Sequence, residues 1–199
     1  LEVLDMEESP TAEDYQETLE IISRNTDRLI ALVSDLLELN DQQHLNFQES
    51  INTAALLEQL LSEQEAAINQ KQLQVTIDNQ LPTLYANRQL LASALGNLLE
   101  NAVKYQHPNG QVALSLRQQA DEAIITVWDD GPGIASDQLP YIFEPFYRCD
   151  PSRSSKISGS GLGLALVKTI VERHGGQVSV QSTPGEGTLF TITLPEKNN

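Results

Sequence analysis

RQLLASALGNLLENAVKYQHPNGQVALSLRQQADEAIITVWDDGPGI, residues 88–134, runs from a helical pattern through two strand patterns into a glycine turn. The first part predicts a helix over 88–106, and QVALSLR and AIITVWD predict strands over 111–117 and 123–129. Working outward, AALLEQLLSEQEAAINQ predicts an earlier helix and LQVTID an earlier strand. Downstream come a polar Gly/Pro/Ser-rich stretch, a helix after Gly163, and strands QVSVQS and TLFTITLP. Strands forming hairpins, with long helices between them, predict an α+β fold: a two-layer α/β sandwich with one sheet and helices on one face.

The first 45 residues have a different texture. Ser9 and Pro10 supply a helix cap and a first-turn proline, and Thr11 with Asp14 offers a second start. Tyr15, Leu19, Ile22, Thr26, Leu29, Val33 and Leu36 then recur at alternating spacings of 4 and 3, the seam of a coiled coil or helical bundle. Ile21, Ile30, Leu32 and Leu37 widen that stripe. An amphipathic helix packed on its own domain would show the same stripe, but one helix and the stub LEVL cannot bury so wide a face. A dimeric four-helix bundle is therefore expected. The opening LEVLDMEESP starts in mid-pattern without an initiating Met, which suggests a piece of something longer, whose parent could be membrane-bound.

Residues 1–70 hold 16 of the 28 acidic residues and 2 of the 12 basic ones, a net charge of −14 against −2 for the rest. Such a surface repels phosphate backbones and disfavours nucleic acid as a partner; it suits a solvated helical face or a basic protein partner. Cys149 is the only cysteine, so no internal disulfide forms. His44, His107 and His174 lack metal-ligand spacing.

Four stretches carry chemistry. In NLLENAVKY, Asn97, Asn101 and Lys104 share a helix face by their i,i+4 and i,i+3 relations, with Tyr105 beside them. An amide oxygen suits a hard cation such as Mg²⁺ and the lysine suits phosphate, although such residues also simply bond neighbouring loops. In DDGPGI, Asp129 ends a strand and Gly131 and Gly133 turn the backbone sharply; a plain tight turn would use the same residues. FEPFYRCDPSRSSK gathers Arg148, Arg153 and Lys156. In SGSGLGLALV, Gly159, Gly161 and Gly163 open a helix, whose N-terminal N–H groups attract anions. No Gly-Lys-Ser/Thr closes that loop and no strand precedes it, so it is neither a P-loop nor a dinucleotide-binding turn.

In this order the stretches resemble the catalytic region of a sensor histidine kinase of two-component signalling, in the ATPase superfamily shared with Hsp90, gyrase B and MutL. Asn97 to Tyr105 resembles the N box, Asp129 to Ile134 the first glycine box, Phe143 to Arg148 the F box, and Gly159 to Gly163 the second glycine box. Gly185-Glu186-Gly187-Thr188 resembles the third. The resemblance implies a Bergerat-type ATP-binding fold over 46–199 with a mobile lid at about 140–160, preceded over 1–45 by part of a dimerisation helical hairpin.

It further implies ATP and Mg²⁺ as ligands, with Asn97, Lys104 and Arg148 in the catalytic set and Asn101 on the metal. Asp129 would accept from the adenine amino group with Thr188 in support, and Tyr105 would pack on the ring. Gly131 and Gly133 would shape that pocket; Gly159, Gly161, Leu162 and Gly163 would present backbone to the phosphates, and Lys104 and Arg148 would contact them. The implied reaction is transfer of the γ-phosphoryl group to a histidine and onward to an aspartate of a response-regulator receiver domain, in a homodimer whose parent is anchored at the cytoplasmic face of a membrane. The family's phosphoacceptor box is absent and is expected upstream of Leu1, so this chain alone should not phosphorylate itself. Two other classes fit part of the pattern: an ATP-hydrolysing conformational machine, whose relatives carry a glutamate where Asn97 stands, and a nucleotide-binding dimeric scaffold without catalysis.

Overall fold

The structure is a computed structural model that describes Tyr15, residues 46–149 and residues 161–195. The seam from Leu19 to Leu36, the rest of the 1–45 segment, and Arg153, Lys156 and Gly159 lie outside the described residues. In chain order the elements are β1 (Glu49–Asn52), α1 (Thr53–Lys71), β2 (Gln74–Asn79), β3 (Thr83–Ala86), α2 (Arg88–Tyr105), β4 (Gln111–Gln119) and β5 (Glu122–Asp129). A short 3₁₀ turn (Leu139–Tyr141), α3 (Gly163–Arg173), β6 (Gln177–Thr183) and β7 (Gly187–Pro195) follow.

Local chemistry sets the helix ends. The side chains of Asn52 and Asn87 accept from the N–H groups of Ala55 and Leu90, each at 3.0 Å, and so cap α1 and α2. α3 stops where Gly175 takes φ 75° and the Gly176 N–H turns back to the Val171 carbonyl at 3.0 Å.

Five strands form one sheet in the order β2-β4-β5-β7-β6. Val112, Leu114 and Leu116 of β4, Ile125 and Val127 of β5, and Phe190, Ile192 and Leu194 of β7 are buried at alternate positions, so one face of the sheet meets the helices. α2 packs between α1 and α3, and its Leu91, Leu95, Leu98 and Leu99 are at most 1% exposed. Each such side chain contributes about 1.5–3 kcal/mol by leaving water, which makes α2 the best anchored helix of the layer.

The two-layer sandwich agrees with the sequence; the strand connections are less uniform than expected. β4 with β5 and β6 with β7 are antiparallel neighbours in sequence, whereas β2 pairs with β4 in parallel, Gln74 against Gln111 through Asn79 against Leu116. A parallel pair requires a crossover, and α2 lies within it. The structure also adds a second, two-stranded antiparallel sheet of β1 and β3. Its four-residue strands ESIN and TLYA are too short for periodicity to reveal.

Candidate nucleotide site

The floor of the site is made by neighbouring strands. Asp129 ends β5 directly opposite Thr188 near the start of β7, and the two are 7% and 6% exposed. Asp129 Oδ1 accepts from the Gly131 N–H at 3.0 Å. Burial pushes the Asp129 carboxyl up to about 6; the Gly131 N–H pulls it down and the neighbouring Asp130 raises it. At neutral pH it is a largely desolvated carboxylate and a strong acceptor.

Behind this pair stands Ser182 of β6, the register partner of Thr188. Its Oγ lies 2.7 Å from the Gly187 carbonyl oxygen, 2.9 Å from Thr188 Oγ1 and 2.8 Å from the Ile134 N–H. The first and third glycine turns are thus tied to one hydroxyl. The Gly185 N–H adds a bond to the Pro132 carbonyl at 2.8 Å. Gly187 has φ 105°, and a Cβ there would run into the Asp129 carbonyl oxygen, so only glycine lets β7 pass this close to β5.

α2 forms the wall. Ser93, Asn97, Asn101 and Lys104 follow one another along the margin of its buried stripe, all partly buried. Asn97 Nδ2 donates to the Ser93 carbonyl at 2.9 Å, which leaves its Oδ1 facing the start of α3: a Cβ on Gly163 would come within 2.6 Å of that oxygen. Lys104 Nζ lies 5.4 Å from the Tyr105 ring centroid, within cation–π range, and Tyr105 itself is exposed.

α3 closes the site from the lid side. Gly163 is its first residue, and Leu162 at the N-cap brings no hydrogen-bonding side chain, so the first-turn N–H groups are without a side-chain cap. The Phe146 N–H donates to the Gly161 carbonyl at 2.9 Å, joining the F box to the second glycine box. Among the aromatic and apolar residues from Tyr141 to Tyr147, Ile142 is buried, Phe143 meets Phe190 edge-on at 6.3 Å and Tyr147 packs on the core; Tyr141 and Phe146 are exposed. Arg148 is partly buried, Gly133 takes φ 68° in the first glycine turn, and Gly159 lies outside the described residues.

Besides Ser182, two more positioning groups escaped the sequence reading. Lys71, the last residue of α1, donates to the carbonyl oxygens of Val103, Lys104 and Gln106 at 2.9, 2.7 and 2.9 Å, capping the end of α2 with a charge. The buried Gln106 amide donates to Asp130 Oδ1 and to the Gln111 carbonyl and accepts from the His107 N–H. A lysine at a helix end and a glutamine before a turn give no periodic signal; only their partners, 32–35 and 24 positions away, reveal them.

The donor set bears on metal binding. Among the described residues no group of three or more His, Cys, Asp or Glu could hold an ion. A Mg²⁺ held through the Asn101 amide oxygen would draw its remaining ligands from phosphate and water, which suits an ion that arrives with a nucleotide. A separate hollow lined by Phe47, Tyr85, His174 and Pro195 shares no residue with this site.

Residues 86–198 match the family described as histidine kinase-, DNA gyrase B-, and HSP90-like ATPase. The chain is 36% identical to the sensor histidine kinase ZraS of Salmonella typhimurium over 192 residues, which are 95% of this chain and 40% of that protein. It therefore spans 40% of the length of that curated relative. The histidine kinase AdeS of Acinetobacter baumannii has a similar structure, with a TM-score of 0.75 at 25% identity, covering 96% of this chain and 88% of that one. Full-length ShkA in complex with AMPPNP is similar with a TM-score of 0.73 at 28% identity, over 94% of this chain and 40% of that one.

Proposed function

We propose, since this chain belongs to the family of histidine kinase-, DNA gyrase B- and HSP90-like ATPases, that it is the ATP-binding catalytic region of a sensor histidine kinase. The observation that carries the nucleotide half of this reading is the buried Asp129 carboxylate beside Thr188, at the ends of two inner strands of the sheet and under a helix that carries Asn101 and Lys104. The kinase half rests on the similarity to sensor histidine kinases.

The roles follow from the chemistry of each group. Asp129 accepts from the adenine amino group, Thr188 supports it, Tyr105 packs on the ring, and Gly131 and Gly133 keep the floor open. Lys104 and Arg148 hold phosphate oxygens, with backbone at Gly159, Gly161, Leu162 and Gly163 completing the cradle. Asn101 holds Mg²⁺, which neutralises charge on the phosphates. In the reaction an imidazole nitrogen bonds to the γ-phosphorus as the bond to the β–γ bridging oxygen breaks; ADP leaves with that electron pair, and a carboxylate beside the imidazole takes its proton. The phosphoryl group then passes to an aspartate of a receiver domain. Asn97 is an amide and cannot act as the base that activates water, which separates this site from hydrolytic relatives.

Residues 46–199 form the catalytic unit of this proposal, with the lid at about 140–160. Residues 1–45 form part of a homodimeric bundle in a protein tethered to a membrane through segments other than these; among the described residues no helix is long and apolar enough to cross one. Calorimetric titration of the wild type, Asp129→Asn and Asn101→Ala with ATP, with and without Mg²⁺, tests the site. Asp129→Asn should weaken ATP and ADP alike, and Asn101→Ala should matter most when Mg²⁺ is present. Wild-type affinity in both variants would reject the assignment.

A further inference from the structure

Ser182 has one proton and three polar neighbours, and that imbalance fixes the polarity of the site's floor. The Gly187 carbonyl, 2.7 Å away, can only accept; the Ile134 N–H, 2.8 Å away, can only donate; Thr188 Oγ1, at 2.9 Å, can do either. The Ser182 proton therefore goes to Gly187, the Ile134 N–H occupies one lone pair, and the second lone pair receives the proton of Thr188. Thr188 is left with oxygen lone pairs only. Beside it the Asp129 carboxylate also only accepts, its Oδ1 already holding the Gly131 N–H.

We propose that Ser182 is a specificity-determining residue: by drawing the Thr188 proton away from the site, it makes the floor acceptor-only and so selects a purine whose 6-substituent donates over one whose 6-substituent accepts. A 6-amino purine meets that demand. A 6-oxo purine sets its oxygen against acceptors, and a site built to hydrogen-bond one group discriminates strongly against its counterpart because buried polar atoms are left unpaired. The inference rests on the reading of this pocket as a purine nucleotide site. Ser182 acts through Thr188 and lies outside every stretch that the sequence reading assigned to nucleotide.

Binding of ATP and ITP to the full chain, measured by calorimetry, tests it. Ser182→Ala frees the Thr188 hydroxyl to turn and donate, so the preference for ATP over ITP should narrow by roughly tenfold, the equivalent of about 1.4 kcal/mol. Ser182→Thr, which keeps a hydroxyl, should retain the wild-type ratio. In a Thr188→Val background, Ser182→Ala should leave the ratio unchanged, because the proton it redirects is gone. A Ser182→Ala protein that loses affinity for both nucleotides in equal proportion overturns the proposal. If Ser182→Ala does not fold, Ser182→Cys, whose sulfur is a poor acceptor for the Thr188 proton, takes its place, and an unchanged ratio there is equally fatal. Asp129→Asn separates the two levels: if it leaves both nucleotides unaffected, the purine-site reading falls and the Ser182 role with it. If it weakens ATP while Ser182→Ala leaves the ratio as in wild type, only the Ser182 role falls.

Discussion

Lys71 closes α1 and at the same time closes α2, its ammonium 2.7 Å from the carbonyl oxygen of Lys104. Two further carbonyls, of Val103 and Gln106, share the same nitrogen, so all three of its protons are engaged. Lys71→Met should unwind the last turn of α2, where Lys104 and Tyr105 sit. Hydrogen bonds from a charged donor are worth about 1.5–3 kcal/mol each at most, and their partial exposure brings the expected total loss to about 2 kcal/mol. Chemical denaturation measures this, and calorimetry should find ATP weakened more than adenosine, since the displaced lysine faces phosphate in the proposed site. An unchanged unfolding midpoint would dismiss the cap.

Asp129 makes stability and binding depend on pH in opposite senses. Its carboxyl titrates at about 6 when folded against an ordinary value of 3.8, chiefly because it is buried. The folded state thus holds this proton more tightly than the unfolded one, so the contribution of Asp129 to stability is fully present below about pH 4 and is lost as pH rises through 6. Asp129→Asn should stabilise the nucleotide-free chain at pH 7.5 by about 1–2 kcal/mol after allowance for solvent screening. ATP affinity should instead fall as pH drops below 6, where the acceptor is protonated. Thermal melts and titrations at pH 5, 6 and 7.5 measure both; melts of wild type and variant that coincide at pH 7.5 would contradict the first.

Gly185 and Gly187 separate backbone strain from collision. Both have positive φ, 82° and 105°, but a Cβ at Gly185 meets nothing within 4 Å, whereas one at Gly187 strikes the backbone of Asp129. Gly185→Ala should cost about 1 kcal/mol through strain alone. Gly187→Ala should cost several times more and abolish ATP binding, because β7 must move off β5. Equal costs in denaturant titrations would show that the approach of β7 to β5 is not what selects glycine.

His174 is chemically unavailable as a phosphoacceptor. Its Nδ1 donates to the Ile170 carbonyl at 2.8 Å and its Nε2 accepts from the Asn87 N–H at 3.1 Å, while burial lowers its pKa. His107 lies exposed in the turn after α2, and His44 is outside the described residues; neither has an adjacent acidic residue in sequence. Incubating residues 1–199 with γ-labelled ATP should leave the chain unlabelled. Stoichiometric acid-labile, base-stable phosphate on this chain would refute the placement of the acceptor elsewhere.

Much of the fold could be read from the sequence because its signals are local and periodic. The helical pattern through Leu98 and Leu99 and the alternation in β4 act within a few residues of themselves. The parallel pairing of β2 with β4 and the small β1–β3 sheet were not legible, since each depends on contacts between segments that carry no mark of their partners. The site divides in the same way. Asn97, Asn101, Lys104 and Asp129 stand out as polar residues where apolar ones would serve a core better. Lys71, Gln106 and Ser182 are ordinary surface types in sequence and acquire their roles only when the chain folds back on them.

The pairing of Asp129 with Thr188 also bears on how such a domain changes over evolutionary time. These residues touch in the sheet, yet the F box, the lid and α3 all lie between them in the chain. Closing a loop costs only about 0.6 kcal/mol more for each doubling of its length. Insertions or deletions confined to the proposed lid, at about 140–160, therefore leave the proposed adenine-side floor almost untouched, while the lid itself is free to diverge in length and composition. Nucleotide choice and lid behaviour can drift independently, one held by hydrogen bonds between neighbouring strands and the other by whatever the intervening sequence happens to be.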